Sequence, residues 1–163
     1  MKKLLSKYDG FIIDLDGVIY LDKKPFKYSK TFINELIKQN KKYVFLTNDS
    51  SLSPNEYSKL LKSEGIQCSK DQIITPINNF INLVDIKKIK NRNLMVFSSS
   101  KLKNYLIKSG IKVIKNIDNY KNAEKIIVSG NINFSYKDLM YASLCVQNGA
   151  ELFATSTDNS YPT

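Results

Sequence analysis

The chain has 163 residues, enough for one domain or two small ones, and its 42% hydrophobic and 25% charged residues are ordinary for a protein that buries a core. These values exclude a disordered tail, a collagen-like fibre and a disulfide scaffold. The sequence contains no histidine. Serine–histidine catalysis, histidine-bound zinc and imidazole acid–base chemistry are therefore excluded within these residues.

The formal net charge is +10, but all except one of the 25 basic residues are lysines. Arginine is the residue suited to bidentate contacts with phosphates and guanines, and the lysines are spread along the whole chain. This pattern favours a solvated lysine surface. Nucleic-acid binding ranks last among the functional hypotheses, so no specific nucleic-acid partner is expected.

The two cysteines, Cys68 and Cys145, are far apart and form no CxxC pair. Each is interpreted as a small buried apolar residue with a free thiol. The apolar start of the chain breaks at once in the polar segment 6–9, unlike a signal peptide. No apolar run is long enough to span a membrane, so a cytoplasmic protein without a membrane partner is expected.

Apolar runs that suit buried strands alternate with segments of helical periodicity. Strands are predicted at 11–15, 43–46, 73–74, 94–97, 111–114, 126–128 and 152–154, and helices at 31–39, from Pro54 to Gly65, at 76–84, around 102–106 before Gly110, and from Ser135 to Gly149. The last helix carries the apolar residues Leu139, Ala142 and Val146. This alternation predicts an α/β fold with mainly parallel strands, divided near residues 76–90.

Two carboxylates stand where the first strand ends. Asp14 and Asp16 are two residues apart, so on a strand both point to the same face. Ligands of open α/β sheets bind beyond the carboxyl ends of the strands, and Gly17 allows a sharp turn. Neighbouring carboxylates repel, which suits one ionised nucleophile and one proton donor, and a hard cation such as Mg²⁺ suits oxygen ligands.

The second strand ends in a similar polar segment, Thr47-Asn48-Asp49. A hydroxyl and a run of backbone amides ahead of a helix can bind an anion. The alternative is that both segments are ordinary polar turns, because Asp and Gly are common turn residues. From the residues alone, both interpretations stay open.

Three segments of the chain resemble the haloacid dehalogenase superfamily, in its NagD-like or p-nitrophenylphosphatase branch. They are 11–20 (FIIDLDGVIY), 45–51 (FLTNDSS) and 149–163 (GAELFATSTDNSYPT). The resemblance implies the first half of a Rossmann-like core at 1–76, an inserted α/β cap at 77–157 and a return toward the core at 158–163. The remainder of the core would be absent, as in a chain truncated after the cap.

The resemblance also implies a magnesium-dependent phosphomonoester hydrolase. Asp14 would be the nucleophile that forms an aspartyl-phosphate, and Asp16 the general acid and base. Thr47, Asn48, Asp49 and Gly17 would bind phosphate, and Asp14 and Asp16 would hold Mg²⁺, the latter through its backbone carbonyl. Segment 20–26 would form a flap beside the nucleophile.

Several features depart from the family pattern. The phosphate-binding lysine and the acidic pair of the third and fourth motifs normally follow the cap, beyond Thr163. Asp49 stands where an asparagine is usual, and Ser156 and Thr157 replace Asn-Pro. A half-sheet would expose a strand edge and an apolar face.

Two hypotheses follow. The first is a phosphatase of small phosphorylated metabolites, with an isolated chain that is inactive if the missing motifs are essential. The second is a non-catalytic binding or regulatory fragment that retains the cap. A homodimer through the cap is a further expectation from the resemblance.

Overall fold

The computed structural model describes residues 5–22, 24–83, 92–129 and 133–156. Strands and helices alternate along these residues, and the α/β fold class is confirmed. The helices are α1 (Ser29–Lys38), α2 (Pro54–Ser63), α3 (Pro76–Leu83), α4 (Ser100–Lys108) and α5 (Tyr136–Gln147), with short 3₁₀ helices at Lys70–Gln72 and Ile117–Asn122. Pro54 begins its helix as predicted, since its fixed φ suits the first helical position.

The chain divides into two compact units. The first includes the described residues of Met1–Thr47 and Pro54–Thr75, and the second includes Asn48–Ser53 and the described residues of Pro76–Thr157. The predicted return toward the core at 158–163 lies outside the described residues. The short segment Asn48–Ser53 thus groups with the second unit, although it lies inside the range 1–76 that the sequence analysis assigned to the core.

The first unit contains a parallel three-stranded sheet in the order β1 (Gly10–Asp14), β4 (Lys42–Leu46), β5 (Ile73–Ile74). Its covered face is formed by residues such as Ile13 and Phe45, which are almost fully buried. Side chains alternate between faces along a strand, so the register pair Ile12 and Val44 lies on the other face. There, Ile12 is 75% exposed although it is the middle residue of β1.

A small antiparallel hairpin follows β1 in the first unit. It pairs β2 (Tyr20–Leu21) with β3 (Lys24–Pro25). This hairpin occupies the segment 20–26 that the resemblance predicts to be a flap.

The second unit has its own parallel three-stranded sheet, β6 (Leu94–Phe97), β7 (Lys125–Val128) and β8 (Glu151–Ala154), in that order. All of β6 is buried because apolar clusters lie on both of its faces. One cluster includes Leu102 and Leu106 of α4, and the other includes Ala142 and Cys145 of α5. A near-continuous apolar strand is typical of a parallel sheet that is covered on both sides.

One prediction of detail is wrong. The apolar segment 111–114 forms no strand; it makes a single bridge in which Val113 pairs with Leu94. On α5, Ala142 is buried, whereas Leu139 is 53% and Val146 43% exposed. Cys145 is fully buried, so the helix packs against the core through the face that carries Ala142 and Cys145 and not through its larger apolar side chains.

Both cysteines are free and buried, as predicted. Among the residues that the structure describes, no helix is both long and apolar enough to cross a membrane.

Candidate active site

Asp14 is the last residue of β1 and its side chain is exposed. Its Oδ1 accepts a hydrogen bond from the backbone N–H of Leu15 at 2.8 Å. Leu15 itself is fully buried. Burial of Leu15 thus holds the end of the strand in place, while the Asp14 carboxylate stays accessible.

The carbonyl of Leu15 organises the turn that follows. It accepts hydrogen bonds from the N–H groups of Val18, Ile19 and Tyr20 at 3.3, 2.8 and 3.2 Å. Gly17 lies in this turn with φ +77°, and its N–H donates to the carbonyl of Tyr20 at 2.8 Å. The left-handed conformation explains why glycine stands at this position.

Asp16 lies in the same turn and is partly buried. It forms an isolated backbone bridge with Tyr20, the first residue of the hairpin. Asp16 is therefore held between the end of β1 and the hairpin.

Thr47 lies at the corresponding end of β4. The register pairs Asp14 with Leu46, so Thr47 is one residue beyond the partner of Asp14. Thr47 is 3% exposed, and its N–H donates to the carbonyl of Ile74 at 3.1 Å. The structure therefore brings Asp14, Asp16, Gly17 and Thr47 to one edge of the first unit's sheet.

Asn48 and Asp49 follow Thr47 in the chain but belong to the second unit. The Asp49 carboxylate closes a local turn, accepting hydrogen bonds from the Ser51 N–H and hydroxyl, both at 2.7 Å. Because a carboxylate repels phosphate, only the backbone amide of Asp49 is suited to the predicted phosphate contact.

One hydrogen bond of this segment could not be predicted from the sequence. The hydroxyl of Ser50 is buried and hydrogen-bonded to that of Ser129, 79 residues away in the chain. No local pattern connects two serines at that separation.

The carboxylates can supply part of a cation site. Among the described residues there is no group of three or more acidic, cysteine or histidine side chains that could hold a metal ion. Mg²⁺ usually keeps several water ligands and is bound by only one or two protein carboxylates. Asp14 and Asp16 therefore fit this ion, although they supply fewer ligands than a site made entirely of protein groups.

Comparison with known proteins identifies the class. Residues 11–112 match the model of the haloacid dehalogenase-like hydrolases, and the chain belongs to that family. It is 25% identical to an acid sugar phosphatase of Staphylococcus haemolyticus, covering 97% of this chain and 58% of that protein.

Solved structures show the same fold. A mutant thermostable NPPase of Geobacillus stearothermophilus is 30% identical, with a TM-score of 0.79 over 96% of this chain and 60% of the other. A glycerol phosphate phosphatase of Mycobacterium tuberculosis, in complex with magnesium, is 19% identical with a TM-score of 0.81 over 98% and 47%.

These relatives confirm the p-nitrophenylphosphatase branch that the sequence motifs indicate. The chain spans about three-fifths of the length of the curated relatives it matches.

Proposed function

We propose that this chain carries the nucleophile-bearing part of a phosphomonoester hydrolase for small phosphorylated metabolites. The observation that carries the proposal is the register of β1 and β4, which sets Asp14 beside Leu46 and thereby brings Asp14 and Thr47 to one sheet edge. Membership of the hydrolase family and similarity to named phosphatases support it.

Asp14 is the nucleophile because it is exposed and ends its strand at the edge where ligands of such sheets bind. Its carboxylate attacks the phosphoryl group and forms an aspartyl-phosphate, with release of an alcohol. Asp16, two residues later, donates a proton to the leaving alkoxide and then takes one from the water that hydrolyses the aspartyl-phosphate.

Thr47 and the backbone amides that follow it bind the phosphoryl oxygens. The Thr47 N–H donates to the Ile74 carbonyl. The family pattern assigns the phosphate contacts to the Thr47 hydroxyl and to the later amides. The Asp14 carboxylate and the Asp16 backbone carbonyl would hold Mg²⁺. When bound, this ion offsets negative charge on the phosphoryl oxygens.

The test is hydrolysis of p-nitrophenyl phosphate by the purified chain, with and without Mg²⁺. Asp14→Asn removes the nucleophile with little change of shape and is expected to abolish turnover. Asp9→Asn is the matched control, because the Asp9 side chain is fully exposed and forms a long ion pair, 4.0 Å, with Lys41. Equal turnover by wild type and Asp14→Asn would contradict the assignment.

A non-catalytic phosphate-binding fragment is the second candidate. The small donor set that Asp14 and Asp16 offer a cation among the described residues favours it, since turnover depends on Mg²⁺ and phosphate binding by backbone amides does not. It predicts a folded chain that binds inorganic phosphate without turning over any phosphomonoester. Magnesium-dependent turnover that is lost in Asp14→Asn would eliminate it.

A further inference from the structure

Three hydroxyl side chains meet inside the second unit, and we refer to Ser50, Ser129 and Thr155 as the hydroxyl cluster. The Ser50 Oγ is hydrogen-bonded to the Ser129 Oγ and lies 3.4 Å from the Thr155 Oγ1. Ser50 is 5% and Ser129 3% exposed. Since buried hydroxyls need partners, each of these two serines depends on the other.

Two members of the cluster are fixed by the sheet. Ser129 and Thr155 directly follow β7 and β8, whose last residues are in register. The ladder continues past the strands, since the Ser129 N–H donates to the Phe97 carbonyl at 3.1 Å and the Thr155 N–H to the Val128 carbonyl at 3.2 Å. Their hydroxyls are therefore carried by a backbone that is hydrogen-bonded to the neighbouring strands.

Ser50 lies instead in the loop segment Asn48–Ser53, which directly follows Thr47 and groups with the second unit. Its hydroxyl bonds connect this segment to the carboxyl ends of β7 and β8. The same segment supplies the backbone amides to which the proposed function assigns phosphate binding.

We propose that Ser50 is a positioning residue for phosphate binding, and that the hydroxyl cluster fixes the backbone of Asn48 and Asp49 in the orientation that receives the phosphate. Ser50 acts through the loop and not by touching the phosphate, because its buried hydroxyl is already engaged with Ser129 and Thr155. This inference rests on the proposed function.

The experiment compares Ser50→Ala and Ser129→Ala with wild type by amide NMR and by titration with inorganic phosphate. Ser129 is the more informative position, since it is 79 residues from Ser50 in the chain. Ser109→Ala is the matched control: it removes a half-buried hydroxyl of the second unit, which donates to the Tyr105 carbonyl at 2.9 Å, away from the loop.

Both cluster variants are expected to shift the amide resonances of Asn48 and Asp49 and to weaken phosphate binding about 3- to 10-fold, as the loss of one hydrogen bond implies. The double variant is expected to weaken it no further than a single one, because the two side chains share the same interaction. Ser109→Ala is expected to change neither quantity.

Unchanged Asn48 and Asp49 resonances in folded Ser129→Ala would overturn the inference by themselves. An equal loss of phosphate affinity in Ser109→Ala would also overturn it, since the effect would then reflect general destabilisation. Failure of the wild-type chain to bind phosphate would instead contradict the proposed function, and the amide resonances would still decide whether the cluster fixes the loop.

Discussion

At the scale of the residue, Gly17 and Gly10 flank the nucleophile with different backbone requirements. Gly17 has φ +77°, in the region that side chains disfavour, whereas Gly10 begins β1 in an extended conformation. A Cβ on Gly17 would meet nothing within 4 Å, and one on Gly10 would make an ordinary contact of 3.6 Å. Alanine at Gly17 would therefore introduce backbone strain without crowding, whereas alanine at Gly10 would introduce neither.

We expect Gly17→Ala to lower the free energy of unfolding of the first unit by about 1 kcal/mol, because alanine pays a penalty in the left-handed region. Gly10→Ala is expected to change it by less than about 0.5 kcal/mol. Urea unfolding of both variants measures the difference, and equal stabilities would contradict a strained turn at Gly17.

The start of α5 carries a titrating interaction. The Asp138 carboxylate accepts hydrogen bonds from the Ser135 hydroxyl at 2.6 Å and the Ser135 N–H at 2.9 Å, while the Asp138 N–H donates to the Ser135 hydroxyl. The hydrogen bond from the Ser135 hydroxyl, helped by that from its N–H, lowers the pKa of Asp138 below its usual value.

A carboxyl group whose pKa is lower in the folded than in the unfolded chain stabilises the fold at every pH above the unfolded pKa. That stabilisation is lost as the pH falls through the folded pKa. Because the Asp138 carboxylate is partly exposed, solvent screening reduces this interaction to about 0.5 kcal/mol. Asp138→Ala is therefore expected to cost about that much at neutral pH, with a difference from wild type that shrinks in acid. Thermal unfolding across pH measures it. A difference that is constant with pH would contradict the charged cap.

At the scale of the element, β1 has one covered and one uncovered face. Ile13 is 5% exposed and Ile12 is 75% exposed. Parallel sheets normally have both faces covered, and exposed apolar residues favour association.

Substitution of isoleucine by threonine keeps the β-branched shape but adds a polar hydroxyl, so it tests whether each face of β1 is buried. Ile13→Thr is expected to destabilise the first unit by about 2 kcal/mol, whereas Ile12→Thr is expected to change it by less than about 0.5 kcal/mol. Denaturant unfolding checks both. A large loss in Ile12→Thr would mean that its face is covered in solution.

At the scale of the whole molecule, each unit contains one buried free thiol, Cys68 in the first and Cys145 in the second. Burial raises the pKa of both thiols. The thiolate is the reactive form, so both cysteines are protected by exclusion from solvent and by low ionisation.

Both cysteines are accordingly expected to react with iodoacetamide at least about 100-fold more slowly than in the unfolded chain, since reaction requires local or global opening. Mass spectrometry of Cys68→Ser and Cys145→Ser, each with one remaining thiol, gives the rate for each unit separately. Equal rates in the presence and absence of urea would contradict burial of that thiol.

The sequence by itself determined the family, the α/β alternation and the order of the predicted site residues. These depend on local signals: the carboxylate pair at Asp14 and Asp16, the helix start at Pro54, and apolar runs of strand length. Such signals need only a few neighbouring residues, because side-chain direction along a strand and the conformations of proline and glycine are set locally.

Tertiary structure decided what depends on distant partners. The segment 111–114 has a strand composition, but it forms a single bridge, between Val113 and Leu94. Helix α5 buries Cys145 and exposes Leu139, because the core it meets decides which face fits. Ser50 joins Ser129 and Thr155 across 79 and 105 residues, and only the folding of β7 and β8 brings these hydroxyls together.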